Sequence, residues 1–316
     1  MSTAAAIVQK AVPRNLQPRG SGGARRRWAA WLMISPVLTA LVIFALYPAV
    51  YLIALSFTKS TLGQPFKTWI GFANYRWLTI GGDDILIPSL ARATAFALGV
   101  SVVELVLGVA LAVQLLALRR AGHLVRSITL LPLMTPPVLV GIAWKLLLAP
   151  GGGLINGKLI TWGIVDAPIS FLGGEPWAML SIMIADIWQW TPFVAILAFA
   201  ALRQVPDDVR EAARLDGASE RAILWEIVLP LTAPLLLAIL LIRLIMAFKT
   251  FDVLYILTFG GPGNATNMAG FTIWRTALRS FDVGTAAAQT VLFSIVVSVV
   301  TLPVVWLHAV AERRAT

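Results

Sequence analysis

Of 316 residues 59% are hydrophobic and only 13% charged, with a mean hydropathy of +0.84, whereas soluble domains carry about 25% charged residues. No aqueous fold hides that much apolar surface, so the chain reads as an all-α polytopic membrane protein whose net charge of +10 is a topology signal rather than a nucleic-acid surface. With no cysteine, and with His123 and His308 far apart in the chain, neither disulfides nor the close-spaced ligands of a zinc site are expected, and no metal is assigned.

Residues 1–27 form a basic tail ending in Arg25, Arg26 and Arg27. The uncharged run that follows is far longer than a signal-peptide core of about 7–15 residues and reads as a retained span. About six segments reach the roughly 20 residues that a bilayer crossing needs: Trp28–Phe57, Ala91–Leu118, Leu124–Leu148, Trp177–Leu202, Ile227–Phe248 and Gly284–Val310. The expected division is a cytoplasmic tail over 1–27, a membrane domain over 28–311 with a charged loop at 203–226, and a short cytoplasmic end at 312–316. Prolines within the spans are no objection, because packed neighbours can satisfy the freed backbone groups.

Arginine and lysine then set the orientation. The tail, the loop with Arg119, Arg120 and Arg126, the loop with Arg203, Arg210, Arg214 and Arg221, and the end with Arg313 and Arg314 hold fifteen; the opposite loops hold seven over longer stretches. Both termini are therefore expected in the cytoplasm.

More than two residues from a span end, four charged residues fall inside predicted spans: Glu104, Lys145, Asp186 and Arg243. At about 2.5–3.5 kcal/mol each on insertion scales, they are expected to face the bundle or a wet cavity. Lys145 and Arg243 fit an interhelical pair or a snorkelling side chain. Glu104 and Asp186 fit either that or the lining of a solute path. Asp186 opens the run Trp188-Gln189-Trp190, where indoles beside an amide suit a sugar face, although tryptophan at a membrane interface explains them as well. After the third span, Gly152, Gly157 and Lys158 imitate a phosphate-binding loop. Leu159 stands where a magnesium-binding hydroxyl is needed and no buried strand precedes, so ATP is not expected to bind here.

The loop from Arg203 to Glu226 concentrates ten charges in 24 residues. Pro206-Asp207-Asp208 reads as a helix start, Gly217 as a sharp turn of positive φ, and Ser219 as the cap of a second short helix. Paired alanines beside a carboxylate suit entry into a cleft on another protein. Beyond the fifth span, Gly260, Gly261 and Gly263 permit close backbone approach to a ligand or docked protein, or simply a flexible loop.

The run Glu211-Ala212-Ala213-Arg214-Leu215-Asp216-Gly217-Ala218-Ser219, followed by Ile227-Val228-Leu229-Pro230, resembles the EAA loop of permease subunits of binding-protein-dependent ABC importers. The segments Asp216–Ser219, Leu257–Pro262 with Thr266, and Pro150–Leu159 resemble the carbohydrate-uptake branch, and the likeness covers roughly residues 28–311. It implies a type I ABC importer permease fold with a cytoplasmic coupling hairpin. Glu211 would make a polar contact with the ATPase, Ala212 and Ala213 would pack closely, and Gly217 would turn the chain. Asp216, Ala218, Ser219, Leu229 and Pro230 complete the motif. The implied partners are a second permease, two ATPase subunits that bind ATP and magnesium in place of this chain, and an extracytoplasmic solute-binding protein. The implied solute is a sugar, polyol or sugar-phosphate, and the chain itself is no enzyme. The alternatives are an importer of another solute class, or a secondary transporter, which would carry inverted repeats not visible here.

Overall fold

The computed structural model describes residues 23–118 and 122–315. Lys10, Arg14, Arg19, Arg119 and Arg120, which contributed to the orientation, lie outside the described residues. Two compact units divide at Ala54. In the first, α1 (Gly23–Leu41) passes through a π-helical turn (Val42–Leu46) into α2 (Tyr47–Ser56). Its apolar stretch Trp31–Ser56 is 26 residues, about 39 Å of helix, which is ample for a bilayer.

The second unit takes in the last residues of α2, then an antiparallel hairpin, β1 (Thr58–Thr61) and β2 (Gln64–Trp69), followed by α3 (Ala73–Thr79). Its turn is tied to the distant chain, since Leu62 N–H donates to the Phe281 carbonyl at 3.2 Å. The main spans are α4 (Leu86–Ala117), α9 (Glu175–Leu202), α12 (Leu229–Phe248) and α15 (Val283–Ala315). They agree with the predicted second, fourth, fifth and sixth spans within a few residues. Helix α4 lies along α9 and α12, and α12 also packs on α15. At Gly108 the approach to α9 is so close that a Cβ would stand 2.6 Å from Val194 Cγ1. The central core joins Phe96, Val100, Ile182, Leu244 and Phe248 to Leu254 and Phe271 of the short helices α13 (Asp252–Leu257) and α14 (Ala269–Trp274).

The predicted third span is not one helix. It comprises α5 (Gly122–Thr129), α6 (Leu131–Met134) and α7 (Pro137–Leu147), so among the described residues five helices are long and apolar enough to cross a membrane. Thr135 and Pro136 are extended, with ψ of 126° and 137°. Each precedes a proline, whose ring disfavours the helical conformation of the residue before it. After α7 comes α8 (Leu154–Thr161), and it contains Gly157 and Lys158. Gly157 N–H donates to the Gly153 carbonyl at 2.9 Å, so the apparent phosphate motif is ordinary helix rather than an open cradle.

Candidate coupling surface and intramembrane site

The charged loop folds as a helical hairpin. Helix α10 (Asp207–Leu215) starts behind Pro206, with Asp207 and Asp208 in its first turn, where carboxylates offset the dipole. Its end is a Schellman motif: Gly217 N–H bonds to the Arg214 carbonyl and Ala218 N–H to the Ala213 carbonyl, both at 3.0 Å. That motif needs a left-handed residue, and Gly217 supplies it at φ +84°. Ser219 Oγ accepts from Ala222 N–H and caps α11 (Glu220–Ala222), which continues through a π-helical stretch, Ile223–Val228, into α12. A bidentate pair spans the turn, with Arg214 Nε 2.6 Å and Nη2 3.2 Å from the two Glu220 oxygens. The guanidinium holds the Glu220 carboxyl below its ordinary range, and Glu220 raises Arg214 in return.

The two alanines of the motif have different surroundings. Ala213 is buried among Ala112, Ala198, Leu202, Ile223 and Val228, so it seats the hairpin on the ends of the chain's own α4 and α9. Ala212 is exposed, as are Asp208, Glu211 and Leu215. The spacing i, i+3, i+4, i+7 places these four on one helix face. Leu215 is 89% exposed, at the tip of an otherwise charged hairpin. Its spacing from Glu211 and Ala212 was the available signal for it, and the motif alone did not single it out. Asp216 is also exposed, whereas Leu229 and Pro230 stand in the first turn of α12, away from that face.

The second cluster lies inside the bundle. Arg243 on α12, 1% exposed, is flanked by Glu104 of α4 and Asp186 of α9, which are equally buried. Its Nη2 donates to Glu104 Oε1 at 2.8 Å and its Nε pairs with the other Glu104 oxygen. Asp186 Oδ2 takes a further ion pair from Nη2, and Thr250 Oγ1 donates to Asp186 Oδ1 at 3.2 Å. The guanidinium carbon stands 5.4 Å from the centroid of the Trp190 ring, within cation–π range. Arg243 is thus the interhelical partner of both carboxylates. Lys145 is separate, donating to the Ile256 carbonyl at 3.0 Å from an exposed position.

Asp186, Gln189 and Trp190 also line a cavity of about 190 Å³ together with Lys249, Thr250 and Asp252. Gln189 Nε2 donates to the Thr135 carbonyl at 3.1 Å, while its buried Oε1 has no hydrogen-bond partner among the described residues. Trp188 turns away, 45% exposed and edge-on to Trp144. Gly260 and Gly261 do not line this cavity. A Cβ on Gly260 would stand 2.8 Å from Phe271 Cε1, and the Gly261 carbonyl accepts from Thr266 Oγ1, so both serve the packing of their own loop. No group of three potential ligands close enough to hold a metal occurs among the described residues.

Residues 104–316, which include the hairpin and the ion cluster, match the family model of the binding-protein-dependent transport system inner membrane component. The trehalose/maltose transport system permease protein MalF of Thermococcus litoralis is 31% identical over 90% of this chain and 94% of its own length. The sn-glycerol-3-phosphate transport system permease protein UgpA of Escherichia coli O157:H7 is 30% identical over 88% and 93%. In fold, the chain is similar to a subunit of a bacterial alginate ABC transporter solved with an alginate pentasaccharide-bound periplasmic protein, with a TM-score of 0.76 at 22% identity over 92% of this chain and 96% of that one. The chain belongs to the family of inner-membrane components of binding-protein-dependent transport systems and is a permease subunit of an ABC importer.

Proposed function

We propose that the face formed by Asp208, Glu211, Ala212 and Leu215 docks on a separate ATPase subunit, and that the hairpin passes the movement of that subunit to the solute path. The observation that carries this reading is the pairing of an exposed outer face with an inner face fixed to α4 and α9 by Ala213, Ile223 and Val228. A hairpin seated this way moves with the helix ends beneath it. From Leu202 to Asp186 is 16 residues of α9, about 24 Å of continuous helix with Pro192 inside it, so displacement at the hairpin has one helical path to the cavity wall. Leu215 supplies an apolar anchor and Glu211 a charge that fixes register and partner choice. Two ATPase subunits would bind ATP and magnesium, a second permease would complete the path, and a binding protein would deliver solute on the opposite face. Hairpin and termini would then be cytoplasmic.

For the solute, the reading is a sugar, polyol or sugar-phosphate. Support comes from the trehalose/maltose and sn-glycerol-3-phosphate systems of the relatives and from the cavity lined by Asp186, Gln189 and Trp190. Equilibrium binding of maltose, trehalose and sn-glycerol 3-phosphate to the partner binding protein distinguishes these classes.

The docking reading has a direct test, because the natural chain has no cysteine. Leu215→Cys and Ala212→Cys, introduced singly, are expected to cross-link to the ATPase subunit in the assembled importer, whereas Ala213→Cys, buried in the permease, is expected to stay unreactive. Cross-linking at Ala213→Cys with none at the other two would place the interface on a different face.

A further inference from the structure

The segment between α12 and α15, residues 249–282, starts at the solute cavity, where Lys249, Thr250, Phe251, Asp252 and Val253 lie in the wall. It then runs through α13 and α14 into a π-helical stretch, Arg275–Arg279. Because α12 begins at the coupling hairpin, this segment stands at the other end of that helix. An aromatic cluster ties its parts together. Phe251 stacks on Tyr255 at 5.6 Å between centroids and stands 5.7 Å from Trp274, while Phe259 packs edge-on to Tyr255 and Phe271 at 5.0 and 5.2 Å.

Two phenylalanines of the segment hold left-handed backbone, Phe259 at φ +53° and Phe281 at φ +55°. Just past a helix end such a place is ordinarily held by glycine or asparagine, because a larger side chain is strained there. For Phe259 the compensation is visible, since its ring is held by Tyr255 and Phe271. For Phe281 it is not. Its side chain is 53% exposed and makes no ring contact among the described residues. Its backbone is nonetheless fixed: the Phe281 carbonyl accepts from Leu62 N–H at 3.2 Å, and Asp282 N–H donates to the Thr276 carbonyl at 3.1 Å. Strained backbone that holds an apolar ring in the open points to a contact outside the chain.

Two residues earlier, Arg279 is exposed, and its guanidinium carbon stands 5.3 Å from the Phe259 ring centroid and 5.7 Å from that of Trp274. It forms no ion pair among the described residues. An exposed arginine in water needs no partner. One held over two rings, however, has already lost much of the side-chain freedom that pairing would cost, so its planar fork of donors is preorganised for a carboxylate.

We infer, on the proposal above that a binding protein delivers solute at this end, that Phe281 and Arg279 form the point where that protein docks. Phe281 enters an apolar pocket on it, and Arg279 pairs with a carboxylate beside that pocket. Aromatic rings and arginine are the side chains enriched at the centre of protein interfaces. Delivery favours this occupant over a lipid or the second permease: through Trp274 and Phe251, a protein seated on Arg279 is joined to the wall of the cavity it supplies.

The assembled importer is placed in lipid nanodiscs, and its affinity for the partner binding protein is measured with the solute that the equilibrium assay identifies. Phe281→Asn suits the left-handed backbone and removes only the ring. It is expected to leave the melting temperature of the importer unchanged or raised, while affinity for the binding protein falls about 10-fold or more. Arg279→Gln is expected to weaken binding by a similar factor and to flatten its salt dependence. Arg279→Lys keeps the charge without the planar stack and is expected to recover less than half of the loss. Wild-type affinity in both Phe281→Asn and Arg279→Gln overturns the inference, whether lipid or nothing covers the pair. A lowered melting temperature in Phe281→Asn with affinity unchanged makes the ring a packing residue and overturns it as well. Where Phe281→Asn lowers both, Arg279→Gln decides, and wild-type affinity there is the contradicting result. Loss of the second permease from either variant, with affinity unchanged in the complexes that stay intact, assigns the face to the permease pair instead. Failure of the wild-type importer to bind the binding protein contradicts the delivery proposal itself, and that measurement tells the two failures apart.

Discussion

Arg243 is the residue on which the interior depends. Among the described residues it alone forms ion pairs with Glu104 and Asp186, and its removal leaves two buried carboxylates close together with no cation from those residues. Breaking a buried pair by deleting one partner costs about 3–5 kcal/mol. Arg243→Leu is therefore expected to lower assembled yield and melting temperature sharply, read by size-exclusion profile in detergent. Glu104→Gln leaves one carboxylate to one guanidinium and is expected to assemble normally. Asp186→Asn is expected to assemble while altering uptake, because it changes the cavity wall. If Arg243→Leu is as stable as Glu104→Gln, the cluster does not organise the bundle. The sequence makes each of these charges conspicuous inside an apolar run, but not their partnership. The contacts join positions 139 and 57 residues apart on three helices, and no local pattern records which buried charges meet.

At the scale of the element, the hairpin was the most legible part of the chain, because its signals are local. Pro206, Gly217 and Ser219 each have a backbone reason for their positions, and the structure uses them so. The division of labour between Ala212 and Ala213 was not legible, since it depends on what lies beneath the helix. Overfilling a packed site costs about 1–3 kcal/mol. Ala213→Leu is accordingly expected to destabilise the permease itself, measured by thermal melting, whereas Ala212→Leu leaves the melt unchanged and weakens ATPase retention. Identical melts for the two would contradict the seating of α10 on α4 and α9. The Arg214–Glu220 bridge adds a pH dependence with a definite sign. Glu220 is held below its ordinary value of about 4.3, so its support of the turn is complete above that pH and disappears as pH falls through the lowered folded value. Circular dichroism of the Glu220→Gln variant is expected to lack that acid transition. The broken third span was half visible: Pro136-Pro137 marked it, yet prolines are tolerated in membrane helices, and only the extended Thr135 and Pro136 show where the helix stops.

For the whole molecule, the distribution of basic residues predicts which loops share a side, and the hairpin is expected to lie with the termini. A reporter active only outside the cytoplasm is expected to give signal when fused at Gly82, Gly153 or Asn264 and none at Gly217 or after Thr316; signal at Gly217 would invert the topology and remove the docking reading with it. The family match covers both hairpin and ion cluster, and α9 joins the one to the other without a break. The central claim is that this chain takes up the motion of an ATPase through α10. Its most direct test pairs Gly217→Val with Glu211→Lys. A Cβ at Gly217 meets open space, so the valine disturbs only the left-handed turn, at about 1–3 kcal/mol, and Gly217→Asn, which tolerates that turn, controls for side-chain size. Solute uptake into vesicles is measured alongside co-purification of the ATPase. The account predicts that both variants insert, that Gly217→Asn keeps most activity, and that Gly217→Val and Glu211→Lys lose uptake together with ATPase retention or coupled hydrolysis, while solute binding by the partner binding protein is untouched. Wild-type uptake and wild-type ATPase retention in both variants would contradict it.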